Sequence, residues 1–207
     1  MKVTDIRAQA HHHDRVSVYL DKKYAFSLEM TDALQFGLKI GMELTEEDVA
    51  RMQEQGDFGK ARAAALEVIA RKAVTKKCLC DMLKKRGYNA DIVDAVTSDL
   101  FLLGYLDDAA FAIRYAQDAA EIKRHGPLRI AQDLQKKGVQ KADIDAAIAA
   151  IDFENNGEIQ ALLTQKFRGA DFHDQKMRQK AFRFLAYRGY TPGQIYAALG
   201  GYRDCEE

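Results

Sequence analysis

The sequence predicts a mainly α-helical protein in which three tandem three-helix repeats form an elongated array, preceded by a small strand-rich α+β segment. Three observations support this prediction. Apolar and polar residues alternate with a period of two within residues 1–29, as in half-buried strands. From about residue 59 onward the apolar spacing is helical instead. A glycine after a basic run then recurs at Gly87, Gly138 and Gly189, 51 residues apart each time, which is typical of repeat architectures.

The N-terminal segment, residues 1–57, begins with predicted strands. Alternating runs at residues 15–20 and 24–28 flank the polar stretch 21–23, an order typical of a β-hairpin. Residues 3–7 alternate as well and predict a third strand. The strands precede all the predicted helices, which gives the segment its α+β character.

Two short helices are predicted after these strands. The first has Thr31 as its cap and ends near Gly37, and the second begins in a capping-box-like run at Thr45 and ends at about Gln55. Two glycines interrupt the helical pattern within residues 55–59, so we place a domain boundary there. The predicted domains are the N-terminal segment, 1–57, and repeats 1, 2 and 3, at 58–104, 105–152 and 153–203.

Each repeat has the same local pattern around its glycine. An apolar pair at i and i+4, such as Leu79 with Leu83, precedes the glycine and marks one helix face. Lys or Arg in the last turn suits the negative end of the helix dipole, and glycine adopts the left-handed conformation that ends a helix. A second apolar helix face, which begins with an isoleucine, follows the glycine. Each repeat is therefore predicted to have one helix that ends at the glycine and one after it, and it is long enough for a third helix before them.

The central repeat contains a motif specific enough to indicate a family. Residues 104–112 read Gly-Tyr-Leu-Asp-Asp-Ala-Ala-Phe-Ala, and residues 126–138 follow the order G-x-x-x-I-x-x-x-L-x-x-K-G. With the three-fold repeat over residues 59–201, this combination resembles the RecX family. The run at residues 21–27 is similar to the N-terminal extension of some RecX proteins. The structural motif residues are Gly87, Leu106, Asp107, Asp108, Phe111, Gly126, Leu134, Gly138 and Gly189.

The resemblance implies a non-enzymatic regulator of the bacterial recombinase RecA. RecX proteins bind RecA, mostly along the groove of the RecA–DNA filament, and limit its ATPase and strand-exchange activities. For this chain the resemblance implies RecA as partner and a role in DNA repair, recombination and the SOS response. It also implies a cytoplasmic monomer without a cofactor, with at most weak, non-specific contact to DNA.

Basic residues cluster at helix ends and are the predicted RecA- or DNA-binding residues. Because the repeats are alike, three of these clusters are expected at the equivalent corner of each repeat, as a spaced row suited to phosphates or an acidic groove. The alternative is ordinary capping of helix C-termini by Lys and Arg. The predicted residues are Lys84, Lys85, Arg86, Lys123, Arg124, Arg129, Lys136, Lys137, Arg183 and Arg188.

Other function classes are less well supported. The chain has 31 basic and 31 acidic residues, so it does not coat nucleic acid by bulk charge. A tandem helix-turn-helix DNA-binding protein acting without RecA is the alternative function, but Asp91 and Asp143 at the starts of two third helices would repel phosphate. Phosphate-loop, dinucleotide, zinc-protease and serine-hydrolase motifs are missing from the sequence, so we predict no catalytic residues. No apolar run is long enough for a membrane span.

Several residue groups have a structural explanation that we prefer to a chemical one. Three cysteines are typical of a reducing compartment. Cys78 and Cys80 are two positions apart on a predicted helix and point away from each other, so they could not easily share a metal. The run at residues 11–13 is predicted to be an exposed loop rather than a metal site, so no metal is expected. Asp107 and Asp108 are predicted to be an N-cap and a first-turn acid rather than an acid–base pair. Most tyrosines are expected to pack in the core, with Tyr187 the best exposed exception.

Overall fold

A computed structural model describes residues 1–10, 14–153 and 157–200. The chain divides into two compact units, Met1–Leu106 and Asp107–Glu207. The strands that these residues form are β1 (Val3–Ala8), β2 (Arg15–Leu20) and β3 (Lys23–Glu29), and the helices are α1 (Met30–Gln35), α2 (Glu46–Arg71), α3 (Lys76–Lys85), α4 (Ala90–Leu102), α5 (Asp108–Glu121), α6 (Pro127–Lys136), α7 (Lys141–Ala149), α8 (Gly157–Lys166), α9 (Gln175–Tyr187) and α10 (Pro192–Ala198). This confirms the predicted fold class of strands followed by helices.

The three strands form an antiparallel sheet in the order β1-β2-β3. The hairpin between β2 and β3 turns through Asp21 and Lys22, whose φ angles of +48° and +68° are those of a two-residue hairpin turn. Val18 pairs with Phe26 across the hairpin, and both are buried. The predicted strands and hairpin are therefore confirmed.

Helix α2 differs from the prediction because it is a single helix of 26 residues. The prediction that a helix ends near Gln55, and that Gly56 and Gly59 interrupt the pattern, is wrong. A Cβ on Gly56 would overlap the carbonyl oxygen of Ser27 in β3. The glycines therefore allow close approach of helix and strand, and the 57/58 domain limit falls inside a helix. Further along the chain, the domain limits stay a prediction.

Local capping shows why the helices begin where they do. Thr45 and Asp48 form the predicted capping box of α2, and Thr75 caps α3 by accepting a hydrogen bond from the N–H of Cys78 at 3.2 Å. Asp107 caps α5 by accepting from the N–H of Ala110 at 2.8 Å, as predicted. The predicted short helix before Gly37 is confirmed as α1, but its predicted cap is wrong, because the helix begins at Met30 and Thr31 lies within it.

Each unit contains two hydrophobic cores. In unit 1, one core joins the sheet to the start of α2, and the other lies among the rest of α2, α3 and α4. In unit 2, one core lies among α5, α6 and α7 and the other among α8, α9 and α10. Among the described residues, the second cluster includes Leu106, beyond the predicted end of repeat 1 at residue 104, so the limits of the repeats stay a prediction.

The three repeated glycines adopt the predicted left-handed conformation. Their φ angles are +90° at Gly87, +83° at Gly138 and +87° at Gly189. Each follows the last turn of the second helix in its repeat, and its N–H donates back to a carbonyl of that turn, as from Gly138 to Gln135 at 3.0 Å. A left-handed backbone favours glycine because a side chain there is strained.

We expect Gly138→Val to lower the free energy of unfolding more than Gly157→Val. Valine at Gly138 costs roughly 1–2 kcal/mol or more, because a β-branched side chain is strained at positive φ. Gly157 is the first residue of helix α8, and valine is a better helix former than glycine. The check is the urea midpoint of each variant by circular dichroism. Equal midpoints would show that Gly138 is not a structural cap.

Candidate partner-binding surface

The turn between α5 and α6 is the base of the candidate surface. The chain passes from α5 through Arg124 and His125 to Gly126, the N-cap of α6. Arg124 has a φ of +52°, and the N–H of His125 donates to the carbonyl of Ala119 at 2.9 Å. Pro127 then occupies the first helical position, where its missing N–H is not needed. The turn is thus fixed by backbone geometry before any partner binds.

The C-terminal end of α9 docks onto this turn. The N–H of Gly126 donates to the carbonyl of Arg188 at 2.9 Å, and the N–H of Leu128 donates to the carbonyl of Gly189 at 3.0 Å. A helix start has unsatisfied N–H groups and a helix end has unsatisfied carbonyls, so each end satisfies the other. The positive end of one helix dipole also meets the negative end of the other. Repeats 2 and 3 are therefore joined through their main chains.

Two side chains that follow α9 reinforce the join. Arg188 donates from Nη1 to the carbonyl of Lys123 at 3.0 Å. The hydroxyl of Tyr190 donates to the carbonyl of Arg124 at 3.3 Å. Tyr190 is 3% exposed, and its burial raises the pKa of the phenol to about 12. All three residues of the Arg-Gly-Tyr sequence at 188–190 therefore take part in this join.

Four cations at the turn, together with Lys137 at the C-terminal end of α6, form what we call the junction surface: Lys123, Arg124, Arg129, Lys137 and Arg188. Four of them lie over aromatic rings, whose negatively polarised faces attract cations. The cation-to-centroid distances are 5.3 Å for Lys123 and Tyr115, 6.0 Å for Arg129 and Tyr187, 5.3 Å for Lys137 and Tyr115, and 5.1 Å for Arg188 and Phe184. Lys123 and Lys137 thus share the ring of Tyr115, while Arg129 and Arg188 lie over rings of α9.

The carboxylate of Asp133 lies among these groups. It accepts a hydrogen bond from the hydroxyl of Tyr115 at 3.2 Å and pairs with Nε of Arg129 at 3.5 Å. Nδ1 of His125 is 4.0 Å from it. The pKa of His125 is lowered, chiefly because burial disfavours the charged imidazolium and also because Arg129 is close, although Asp133 opposes this. His125 is thus held neutral at physiological pH.

We expect the protein to lose stability in acid through His125. Its pKa is lower in the folded chain than the ordinary value of about 6.5, so between the two values the unfolded chain binds more protons. The contribution of His125 to the free energy of unfolding is complete above pH ~6.5 and is lost as the pH drops through the pKa of the folded state. The check is the urea midpoint against pH for the wild type and His125→Asn. Parallel pH profiles for the two proteins would refute the role of His125.

The structure brings together five of the ten predicted binding cations, those of the junction surface. Lys136 is the last residue of α6. Arg183 lies instead in a separate cavity of unit 2, lined by Phe182 and Tyr196. Arg188 and Lys137 take part in intramolecular contacts, which agrees in part with the capping alternative. Their assignment to partner binding stays a prediction.

The predicted cations of repeat 1 lie at the end of α3 in unit 1. Lys84 pairs with Asp94 at 3.3 Å, with both side chains largely exposed. Lys85 and Arg86 are exposed. Exposed pairs of this kind contribute little to stability, so these side chains remain available to a partner.

Sequence reasoning did not find Asp133, His125 or Tyr115 as members of the site. Tyr115 was expected in the core, yet its hydroxyl reaches Asp133. The one signal was the i, i+4 spacing of Arg129 and Asp133 on a helix, which brings the two side chains together. Tyr187 is 77% exposed, as predicted, and Tyr105 is also exposed, at 53%.

One prediction falls outside the described residues. The run at 11–13 is not described, so the structure says nothing of metal binding there. Within residues 1–10, 14–153 and 157–200, no three His, Cys, Asp or Glu side chains are grouped as metal ligands would be. The helices of the same residues include none that is long and apolar enough to cross a membrane.

Comparison with known proteins identifies the family. Residues 1–45 match the model of the regulatory protein RecX N-terminal domain. Residues 107–148 match the second RecX three-helix domain, and residues 158–199 match the third. Regulatory protein RecX of Clostridium botulinum (strain Eklund 17B / Type B) is 31% identical over 193 residues, covering 91% of this chain and 90% of the relative. The chain belongs to the RecX family.

Other RecX proteins agree with this assignment along nearly the whole chain. Regulatory protein RecX of Bacillus subtilis (strain 168) is 27% identical over 199 residues, which cover 95% of this chain and 75% of the relative. A crystal structure of regulatory protein RecX superposes with a TM-score of 0.78 at 26% identity, covering 97% of this chain and 99% of that one. The RecX fold of the chain is therefore established, and its relatives are named as regulators.

Proposed function

We propose that this RecX-family protein binds RecA on DNA and modulates, mostly inhibits, its ATPase and strand-exchange activities. It acts without catalysis of its own, as a cytoplasmic monomer in DNA repair, recombination and the SOS response. The relatives' name supports a regulatory role. RecA as the partner follows from the family resemblance of the motif at residues 104–112.

The junction surface is the observation that supports an anionic partner. Four cations lie at one turn, Lys137 lies over the ring of Tyr115, and the carboxylate of Asp133 neutralises part of this charge. Because the main-chain join between α9 and α6 fixes the turn, the cations of the surface are positioned before binding. Preorganised charge of this kind suits phosphates or an acidic protein groove, with a strong dependence on salt.

The test is titration of the protein into cognate RecA on single-stranded DNA, with ATP hydrolysis as the signal. We expect hydrolysis to fall as the protein is added. Inhibition should weaken between about 50 and 200 mM salt, because charge–charge attraction is screened. Unchanged hydrolysis at saturating protein would refute the proposal.

Direct binding of single-stranded DNA is the second candidate function. Tyr187 is 77% exposed, beside Arg129, and such a ring can stack on a base while the cation meets phosphate. Reading of duplex sequence is less favoured, because Asp91 and Asp143 lie in the first turns of α4 and α7. Fluorescence anisotropy with a labelled oligothymidine and the Tyr187→Ala variant tests this function without RecA. Equal weak binding by both proteins would remove the stacking role.

A further inference from the structure

The tripeptide Arg-Gly-Tyr occurs twice in the repeats, at 86–88 and at 188–190. In repeat 3 it is docked, because the carbonyls of Arg188 and Gly189 accept from the start of α6 and the Arg188 and Tyr190 side chains bind the entering turn. The repeat 3 copy thus shows which chemistry this corner recognises: the N-terminal end of an α-helix entered through glycine.

The repeat 1 copy has the same backbone geometry. Gly87 has a φ of +90°, against +87° in Gly189. The N–H of Gly87 donates to Lys84 at 3.1 Å and that of Tyr88 donates to Leu83 at 3.4 Å, matching the repeat 3 bonds of 2.9 Å and 3.2 Å. The carbonyls of Arg86 and Gly87 therefore have the same orientation relative to their helix end as those of Arg188 and Gly189.

The repeat 1 corner differs because it is open. Arg86 and Gly87 are exposed, whereas Gly189 is buried. Among the described residues, no atom lies within 4 Å of the place that a Cβ on Gly87 would occupy. Within the described part of the chain, neither the carbonyl of Arg86 nor that of Gly87 accepts a hydrogen bond. The hydroxyl of Tyr88 contacts the carbonyl of Lys60 at 3.4 Å in its own repeat, which anchors the corner from behind.

We infer that the Arg86-Gly87-Tyr88 corner binds the N-terminal end of an α-helix in a partner protein, where that helix is entered through a glycine. The carbonyls of Arg86 and Gly87 accept the first N–H groups of the partner helix, which have no acceptor within that helix. The helix dipoles align head to tail, and Arg86 donates to a carbonyl of the entering loop, as Arg188 does. Glycine is required at the helix start because the two backbones touch, as at Gly126.

A second copy of this chain is a poorer occupant than another protein. Among the N-caps that the structure describes, Gly126 is the glycine, and its own chain already covers it. Several other helix starts use their own side chains as caps, including those of α2 and α9, where Thr45 and Asp174 fill the site. Among the described N-caps, none is a glycine with free N–H groups, which favours a different protein as the occupant.

The test uses a model helix start and the full-length protein labelled with ¹⁵N. The probe is an acetylated peptide with the sequence of residues 121–136, which contains the turn that repeat 3 recognises. We expect the amide signals of Gly87 and Tyr88 to shift saturably during titration. The matched control peptide has valine in place of the glycine at 126 and should cause no shift. The protein variant Arg86→Ala should bind the first peptide at least several-fold more weakly while keeping its circular dichroism spectrum.

Three results would overturn the inference. One is the lack of any movement at Gly87 and Tyr88 up to about 5 mM peptide, several times a Kd in the millimolar range. Another is equal movement with the valine peptide. The third is a change of the Gly87 signal with protein concentration alone, which would assign the corner to a second copy. The experiment contains neither RecA nor DNA, so its failure leaves the proposed function standing.

Discussion

Gly126→Ala is expected to lower the free energy of unfolding of repeats 2 and 3 by about 3 kcal/mol, the upper range for an overpacked site. A Cβ at Gly126 would overlap the main chain of Gly189, and a backbone cannot rotate away as a flexible side chain does. The helix ends must separate, which breaks the bonds at 2.9 Å and 3.0 Å. The first readout is the urea midpoint by circular dichroism.

Hydrogen exchange gives a local readout of the same change. The N–H of Leu128 donates to Gly189 across the join, so its protection should fall sharply in Gly126→Ala. Gly193→Ala is the matched control, because no atom lies within 4 Å of a Cβ there and the residue is helical. Alanine should leave that site neutral or slightly stabilised. Unchanged protection of Leu128 in Gly126→Ala would show that the join does not depend on close approach.

Reversal of four basic residues should abolish inhibition of RecA at wild-type concentrations. The variant replaces Lys84, Lys85, Lys136 and Lys137 with Glu and changes the net charge by −8. We expect a loss of roughly 100-fold in inhibitory potency, because like charges placed against an acidic or phosphate surface cost several kcal/mol. Stability should change by a few tenths of a kcal/mol at Lys84, since its pair with Asp94 is exposed, and by about 0.5–1 kcal/mol at Lys137, which lies over the rings of Phe111 and Tyr115. The measurement is ATP hydrolysis by RecA on single-stranded DNA.

A control variant separates local charge from net charge. Lys2, Lys22, Lys23 and Lys39 are all exposed in the N-terminal segment, and their reversal to Glu gives the same change of −8. This control should inhibit RecA nearly as well as the wild type. If instead the control loses inhibition and the repeat variant keeps it, the contact surface lies on the N-terminal segment.

Local signals made most of the fold predictable from the sequence. Hairpin alternation, caps such as Asp107 and the glycine that ends α6 depend on residues close in the chain, so their chemistry is visible in the sequence. The prediction that Gly56 and Gly59 interrupt a helix was wrong, because a glycine can either break a helix or allow another backbone to approach closely. The choice depends on Ser27, which is distant in sequence.

The candidate site was predictable in composition but not in arrangement. The basic clusters were visible as helix-end residues, and the exposure of Tyr187 was foreseen. The meeting of Arg188 with Lys123 spans 65 residues and depends on how two repeats dock, which no local pattern encodes. The partly buried neighbours Asp133 and His125 meet because the turn before α6 folds back beside that helix, which the basic clusters do not indicate.

The join of α9 to α6 restricts the residue type at only a few of the described positions in repeats 2 and 3. Its two hydrogen bonds use main-chain atoms, which are common to all residue types except proline. Mutation of the surrounding side chains leaves these donors and acceptors unchanged. Gly126 and Gly189 are the positions where the closeness of two backbones restricts the residue type. The surface chemistry of the two repeats is therefore free to diversify toward new partners while the angle between the repeats is inherited.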